Sequence, residues 1–577
     1  MTGTSCALAG LLLPLLWWGQ APPAFEAQAL VDDAIRDHRP VVTLPAGPLH
    51  LPRGLTLDRA EGLTIEGAGT TLIIGDIHSP AVKLSRCKDV VLRGFTVDYD
   101  PLPFTQGTVT SRSADGTLVG FEVHAGYPDL TADYLPQHAH IFAGEARLWK
   151  RLAPDIYPRS VAALDPRHGT LTLPAGRPYY DQVQPGDRLV LNYRGTTGVL
   201  VWQSENVRVE GVTLLTAPGC GVMCRYMRGD NRFQYDIRPG PPPPGAVQPR
   251  LMSTCADGFN YAFARRGPIL EHSHFSYMGD DSVNLHGPVL LVTQVVSPTE
   301  LLVASPYGPE PVDWLVEAGD VARRLQPGNY AVLGEAAIAA FARTGQAEGA
   351  PRDLVHAFWP RVQSQSGPTL YRVTLREPLA AQVGEVLDLP AINAPHFRLS
   401  GCTFSDHRAR GVLVCSPHGV VENCTFARLK RVGLKLDPGY VHWREAGWVE
   451  DVTVRGNVFE DVGICPDTWA RGQYELGAIM VGGRREPGAA ALPYPEANRR
   501  LVIESNTVRG CSVAGIHVRC ARDVTIRGNH LSHTNYVSAP DAGAEHGLSV
   551  ASAIDVRGVP EVTLEANDIT ALGQPIP

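Results

Sequence analysis

Through the C-terminal half of the chain, short apolar strands return at a near-constant spacing with a polar or glycine corner between them: VENCTF (421–426), VRGNVF (454–459), IESNTV (503–508), IRGNHL (526–531) and LEANDI (564–569). Cys402 to Cys424 is 22 residues and Asn506 to Asn529 is 23. Strands rich in β-branched residues at that period predict a solenoid of stacked coils, each burying its apolar side against its neighbours. Alternation along the strands then separates inward from outward positions. Val283 and Leu285 match Val412 and Val414, then Leu434 and Leu436, then Ile516 and Val518, as inward residues. Asn284, His286, Lys435, Asp437, His517 and Arg519 fall on the outward face of the same strands. The expected fold class is all-β, a right-handed parallel β-helix.

Helical periodicity is scarce outside Ala27–Asp37, where a helix is expected to cover the open strand edges of the first coil. Two stretches break the rhythm. Thr105–Tyr193 contains TLVGFEV, GTLTLPA and DRLVLNY, and Val289–Ile392 contains LLVTQVV, TELLVA, YRVTL and GEVLDLP. Both read as small antiparallel, barrel-like β-units inserted into coil turns, and a proline run at Pro241–Pro244 marks a third, shorter loop. Loops on one face of a solenoid leave the stacked core undisturbed and commonly form its binding face. The expected segments are a leader over 1–29, cap and first coils over 30–104, an inserted unit over 105–193, coils over 194–288, a second unit over 289–392, and C-terminal coils over 393–577.

Length fits this picture, because 577 residues exceed one compact core whereas a solenoid grows by adding rungs. With 58 Gly and 48 Pro the chain is rich in turns, and a hydrophobic content of 44% argues against disorder. The net charge of −8, with no basic run, argues against nucleic acid as a partner. An apolar stretch at Ala7–Trp18 is too short to span a bilayer and suits the core of a signal peptide, with an A-x-A at Ala27–Ala29, although no Lys or Arg precedes Arg36. Export to the periplasm, cell surface or medium is expected, without a membrane span. Eleven cysteines show no zinc spacing, and Cys402 and Cys424, one coil apart, stack either as free thiols or as a disulfide.

The chemistry concentrates on three aspartates. Asp257 and Asp281 are 24 residues apart, one coil, which places them on neighbouring rungs roughly 4.8 Å apart, with Asp280 beside them. Carboxylates that close cannot all ionise, so one is pushed toward holding a proton, as a general acid must. Counting six residues from Leu251, Phe275 and Phe404 reaches Asp257, Asp281 and Arg410, a column across three coils. Plainer readings exist for each residue: a solvated Asp-Asp turn, Asn260 above Asn284 as a structural asparagine ladder, Arg410 as a neutralising charge, and His286 as a strand-end residue. Their convergence beneath two insertions favours a functional site.

ADGFN (256–260), GDDSVNLHG (279–287) and HRARGVL (407–413), with DYDPLPFTQG (98–107), resemble glycoside hydrolase family 110, the bacterial exo-acting α-1,3-galactosidases. The resemblance covers most of the chain, including both insertions. A similar three-aspartate arrangement occurs in inverting polygalacturonases, but their downstream G-H-G and R-I-K elements are absent as such; only LHG (285–287) is similar. What the family resemblance implies is inverting hydrolysis of a terminal α-linked galactose in a glycan, with Asp280 as acid and Asp257 and Asp281 holding the water as base. Asn260, Asn284, His286, Arg410, Lys435, Asp437 and Trp443 are the candidates for sugar recognition, and the scheme calls for no metal or other cofactor. A β-helix polysaccharide lyase with Ca²⁺ held by the aspartates, and a non-catalytic glycan-binding solenoid, are the alternatives.

Overall fold

The computed structural model describes residues 26–576, except 136–137, 145–146, 154, 178, 308–309, 361–366, 441–442, 465–474, 483–496 and 538–551. The apolar stretch Ala7–Trp18 lies outside the described residues. Ala27–Ala29 is within them and forms the first turn of a helix, Ala27–Arg36, so the expected leader boundary at residue 29 falls inside that helix. Ala27, Val31 and Ala34 are buried on the first coil, and the Gln28 side chain both donates to and accepts from the backbone of Thr56.

Parallel strands then climb in three columns. One column is an 11-stranded sheet from Leu55–Asp58 to Ile554–Val556. The other two run side by side and merge into a 22-stranded sheet where Arg208–Leu214 and Arg232–Ile237 pass continuously from one column to the next. The parallel β-helix expected from the repeat is therefore present. Its interior is lined by the alternating apolar residues, with Phe275, Phe404, Phe426 and Phe459 stacked on successive rungs at ring separations of 5.5, 5.1 and 4.5 Å.

At one corner, the asparagines of the repeat form a ladder: Asn457, Asn506 and Asn529 each donate a side-chain amide hydrogen to the side-chain oxygen of the next asparagine, ending at Asn567. Each also donates to a strand carbonyl. Buried corner amides that are fully paired in this way replace the water a turn would otherwise need. Cys402 and Cys424 occupy the same column on the two preceding rungs, and all nine described cysteines are free thiols.

The interruptions are antiparallel. The first is a six-stranded sheet that stays open, with strands between Phe104–Arg112 and Arg188–Asn192. Its edge strand Ala139–Phe142 is covered by the following segment through bridges from Ala139 to Ile156 and from Phe142 to Trp149. The second closes into a six-stranded barrel, because Leu290–Ser297 pairs with Glu300–Ser305 on one side and Val386–Asp388 on the other. Among the described residues no helix is long and apolar enough to cross a membrane.

Candidate active site

The 11-stranded sheet positions the aspartates. Asn260 lies opposite Asn284 in register. Just before these strands the Gly258 N–H donates to the Asp281 carbonyl at 2.8 Å, and the Ser282 N–H to the Arg410 carbonyl at 3.1 Å. Asp257, Asp281 and Arg410 thus stack on three successive rungs. Arg410 closes on Asp281 from two directions: its backbone N–H and Nε both donate to Oδ1 at 3.0 Å, and Nη2 reaches Oδ2 at 2.7 Å. Such a fork fixes a carboxylate in orientation as well as charge.

Gly279 precedes the Asp-Asp pair. Its φ is not in the left-handed region; a Cβ there would stand 2.4 Å from the Cys255 carbonyl oxygen. Close rung-to-rung approach, rather than an unusual turn, demands glycine.

Asp280 projects away from the column into a cationic corner. Arg194 Nη2 donates to its Oδ2 at 2.7 Å and Arg408 Nη1 to its Oδ1 at 3.0 Å. Arg408 is in turn held by both oxygens of Asp155, from the first insertion. Burial by itself would raise the Asp280 pKa, but Arg408 and then Arg194 outweigh it and hold the group well below the ordinary carboxylate range. Asp257 moves the opposite way: burial first, then the charges of Asp280 and Asp281, raise it well above that range, although Asn260 Nδ2 donates to it at 2.6 Å. These opposed directions bear on the expected division of roles, in which Asp280 is the acid, and their cause at Asp280 is two guanidinium groups brought in from distant segments.

The outward residues do lie on the sheet face that holds the aspartates, but buried rather than solvated: Asn260, Asn284, His286, Lys435 and Asp437 are all under 9% exposed. Asn260 and Asn284 do not hydrogen bond to each other. Asn284 donates to Glu445 at 3.0 Å and accepts from or shares a proton with His286 Nδ1 at 3.0 Å. Lys435 Nζ lies 3.3 Å from Asp437. Trp443 is 51% exposed, and its carbonyl accepts a hydrogen bond from the Tyr307 hydroxyl at 3.1 Å. The first insertion thus borders the site at Asp280, and the second at the Trp443–Glu445 loop.

Arg194, Arg408, Asp155 and Glu445 were not singled out from sequence. Arg408 lies two residues before Arg410 in the turn that precedes the strand Val412–Val414, where no strand alternation marks it. Asp155 and Arg194 belong to the first insertion and its exit, and nothing local marks them.

The fold and site define a parallel β-helix protein with a carboxylate trio, Asp257 and Asp281 buried and Asp280 partly exposed, bordered by two inserted units. No family model matches the chain. It is homologous to curated proteins named α-1,3-galactosidase, and the resemblance read from the motifs is borne out by them. It is 23% identical over 427 residues to α-1,3-galactosidase B of Bacteroides thetaiotaomicron, covering 70% of this chain and 64% of that protein, less than two thirds of its length. It is 22% identical over 465 residues to α-1,3-galactosidase A of Shewanella woodyi, covering 77% and 69%. Among solved structures, an exopolygalacturonase from Thermotoga maritima aligns over 88% of this chain and 83% of its own, at 12% identity and a TM-score of 0.34.

Proposed function

We propose that the chain is an exo-acting, inverting glycosidase that removes terminal α-1,3-linked galactose from glycans outside the cytoplasm. The observation that carries this reading is the carboxylate trio itself: Asp257 and Asp281 on adjacent rungs, Asp280 turned aside, and Arg410 fixing Asp281. The relatives named α-1,3-galactosidase support the bond and the sugar.

Inversion needs an acid at the glycosidic oxygen and a base activating water on the opposite face of the ring. Burial and the neighbouring carboxylates raise Asp257, while Arg408 and Arg194 hold Asp280 low. The stacking of Asp257 and Asp281 favours a water held between them, with Asp280 as acid. That scheme requires the proton to pass from Asp257 to Asp280 as substrate draws Arg194 away. The electrostatics favour a second scheme, with Asp257 as acid and Asp280 as base. An acid is needed chiefly for a poor leaving group, so the two schemes separate on an aryl α-galactoside whose phenolate leaves readily. Rescue of Asp280→Asn on that substrate supports the first, and rescue of Asp257→Asn the second. Full activity of both variants on Galα1-3Gal would remove the site from the reaction.

The buried polar groups of Asn284, His286, Lys435 and Asp437 supply directional partners for galactose hydroxyls. Trp443 presents an exposed aromatic face, two residues from the Glu445 that accepts from Asn284, to the apolar side of the ring.

A further inference from the structure

Beside the site, on the first insertion, two histidines and an aspartate converge with no part in the scheme above. His138 and His140 lie two residues apart on extended chain and so face the same side; their rings meet edge to face at 4.2 Å. Ile156 bridges to Ala139 in antiparallel fashion, which brings Asp155 alongside them. One ligand atom from each of the three residues lies within 4.8 Å of the others, and all three side chains are buried. Among the described residues, none of the four imidazole nitrogens has a hydrogen-bond partner. Buried polar atoms are rarely left unpaired without a reason. The rings are held from outside: Tyr157 stacks on His138 at 4.8 Å, and Trp149 meets His140 edge-on at 5.1 Å.

Asp155 accepts from Arg408 with both oxygens. An ionised carboxylate has about four lone-pair positions, so it retains capacity for another partner. Two imidazoles and a carboxylate are the donor set that suits zinc-class ions, with a further coordination position open, whereas Mg²⁺ and Ca²⁺ prefer oxygen ligands throughout.

We propose that His138, His140 and Asp155 form a binding site for a divalent transition-metal ion of the zinc class. The site stands on these residues alone and does not depend on the galactosidase reading. Through Arg408 it is coupled to Asp280, because an ion that shares Asp155 weakens that carboxylate's hold on Arg408 and leaves the guanidinium more fully to Asp280.

The test is equilibrium dialysis of the chelator-treated full chain against Zn²⁺, with bound metal measured by elemental analysis, on wild type and on His138→Gln and His140→Gln, each checked for folding by circular dichroism. One ion per wild-type chain is expected, undisplaced by equimolar Mg²⁺ or Ca²⁺, with affinity falling at least about tenfold in each folded variant. Undiminished binding in the folded variants, displacement by Mg²⁺, or no binding by wild type would overturn the proposal. Should both variants fail to fold, Co²⁺ on the wild-type chain decides. Visible ligand-field bands typical of imidazole ligation in a low-coordinate site support it, and a spectrum matching hydrated Co²⁺ overturns it.

Discussion

Two columns of asparagine run along this solenoid. In the C-terminal coils, Asn457, Asn506, Asn529 and Asn567 pair with one another and with strand carbonyls, so nearly every amide atom is committed to the rungs. In the middle coils, Asn260 and Asn284 are also one rung apart, yet each turns to a carboxylate, Asp257 and Glu445 respectively. The Asn260 side-chain oxygen is buried without a hydrogen-bond partner. Residue type and the one-rung step are the same; what differs is the covering. The first column sits inside a corner of the coil, while the second lies on the outer face beneath two insertions that exclude water without satisfying the polar groups. The first arrangement contributes stability, and the second leaves a buried amide oxygen unpaired at a cost in stability.

That contrast is best broken by comparing variants in the two columns. Asp281→Asn and Asp257→Asn are expected to lower kcat on Galα1-3Gal by about 10²–10⁴-fold or more, the usual cost of removing an acid or base. Asp257→Asn carries a second signature. Because the folded state raises the Asp257 pKa, its contribution to stability is complete only below the ordinary carboxylate value and is lost as pH rises through the raised one. The Asn variant mimics the protonated form, so it should melt above wild type at pH 8, with the gap closing toward pH ~4. A variant that is inactive and also less stable at pH 8 would contradict the electrostatic account.

Asn506→Ala should do the reverse. It removes two donated and two accepted hydrogen bonds inside a buried corner, at a cost on the order of 3 kcal/mol or more by denaturant unfolding. The folded fraction should keep its kcat/KM. Loss of activity without loss of stability would mean the ladder reaches the site.

Arg410→Lys keeps a charge but loses the fork on Asp281, and a fall of about 10–100-fold in kcat/KM is expected, with little change in melting temperature. The smallest effect belongs to Trp443→Ala. Its ring is half exposed, so KM should rise while kcat and melting temperature hold. Unfolding of that variant would instead mean that Trp443 is a packing residue.

The solenoid was legible because each rung repeats a local rule: alternation, a polar corner, and a return after 22 to 24 residues. The same rule placed Asp257, Asp281 and Arg410 in one column and assigned Asn284, His286, Lys435 and Asp437 to the outer face. It carried no information about what crosses to that face from elsewhere. Arg194 and Asp155 act on Asp280 through contacts spanning 86 residues and, by way of Arg408, 253 residues, and the two guanidinium groups lower Asp280 while Asp257 is raised. The helix Gly349–Phe358 in the second insertion also escaped notice, since ten residues opening on glycine and including proline give little helical signal.

The central claim is single-displacement release of galactose by the aspartate trio. Proton NMR of the first product from Galα1-3Gal tests it most directly, because the anomeric signal reports bond, reaction and stereochemistry together before mutarotation intervenes. The account requires β-galactose to appear first. α-Galactose as the first product would show a double displacement and contradict it.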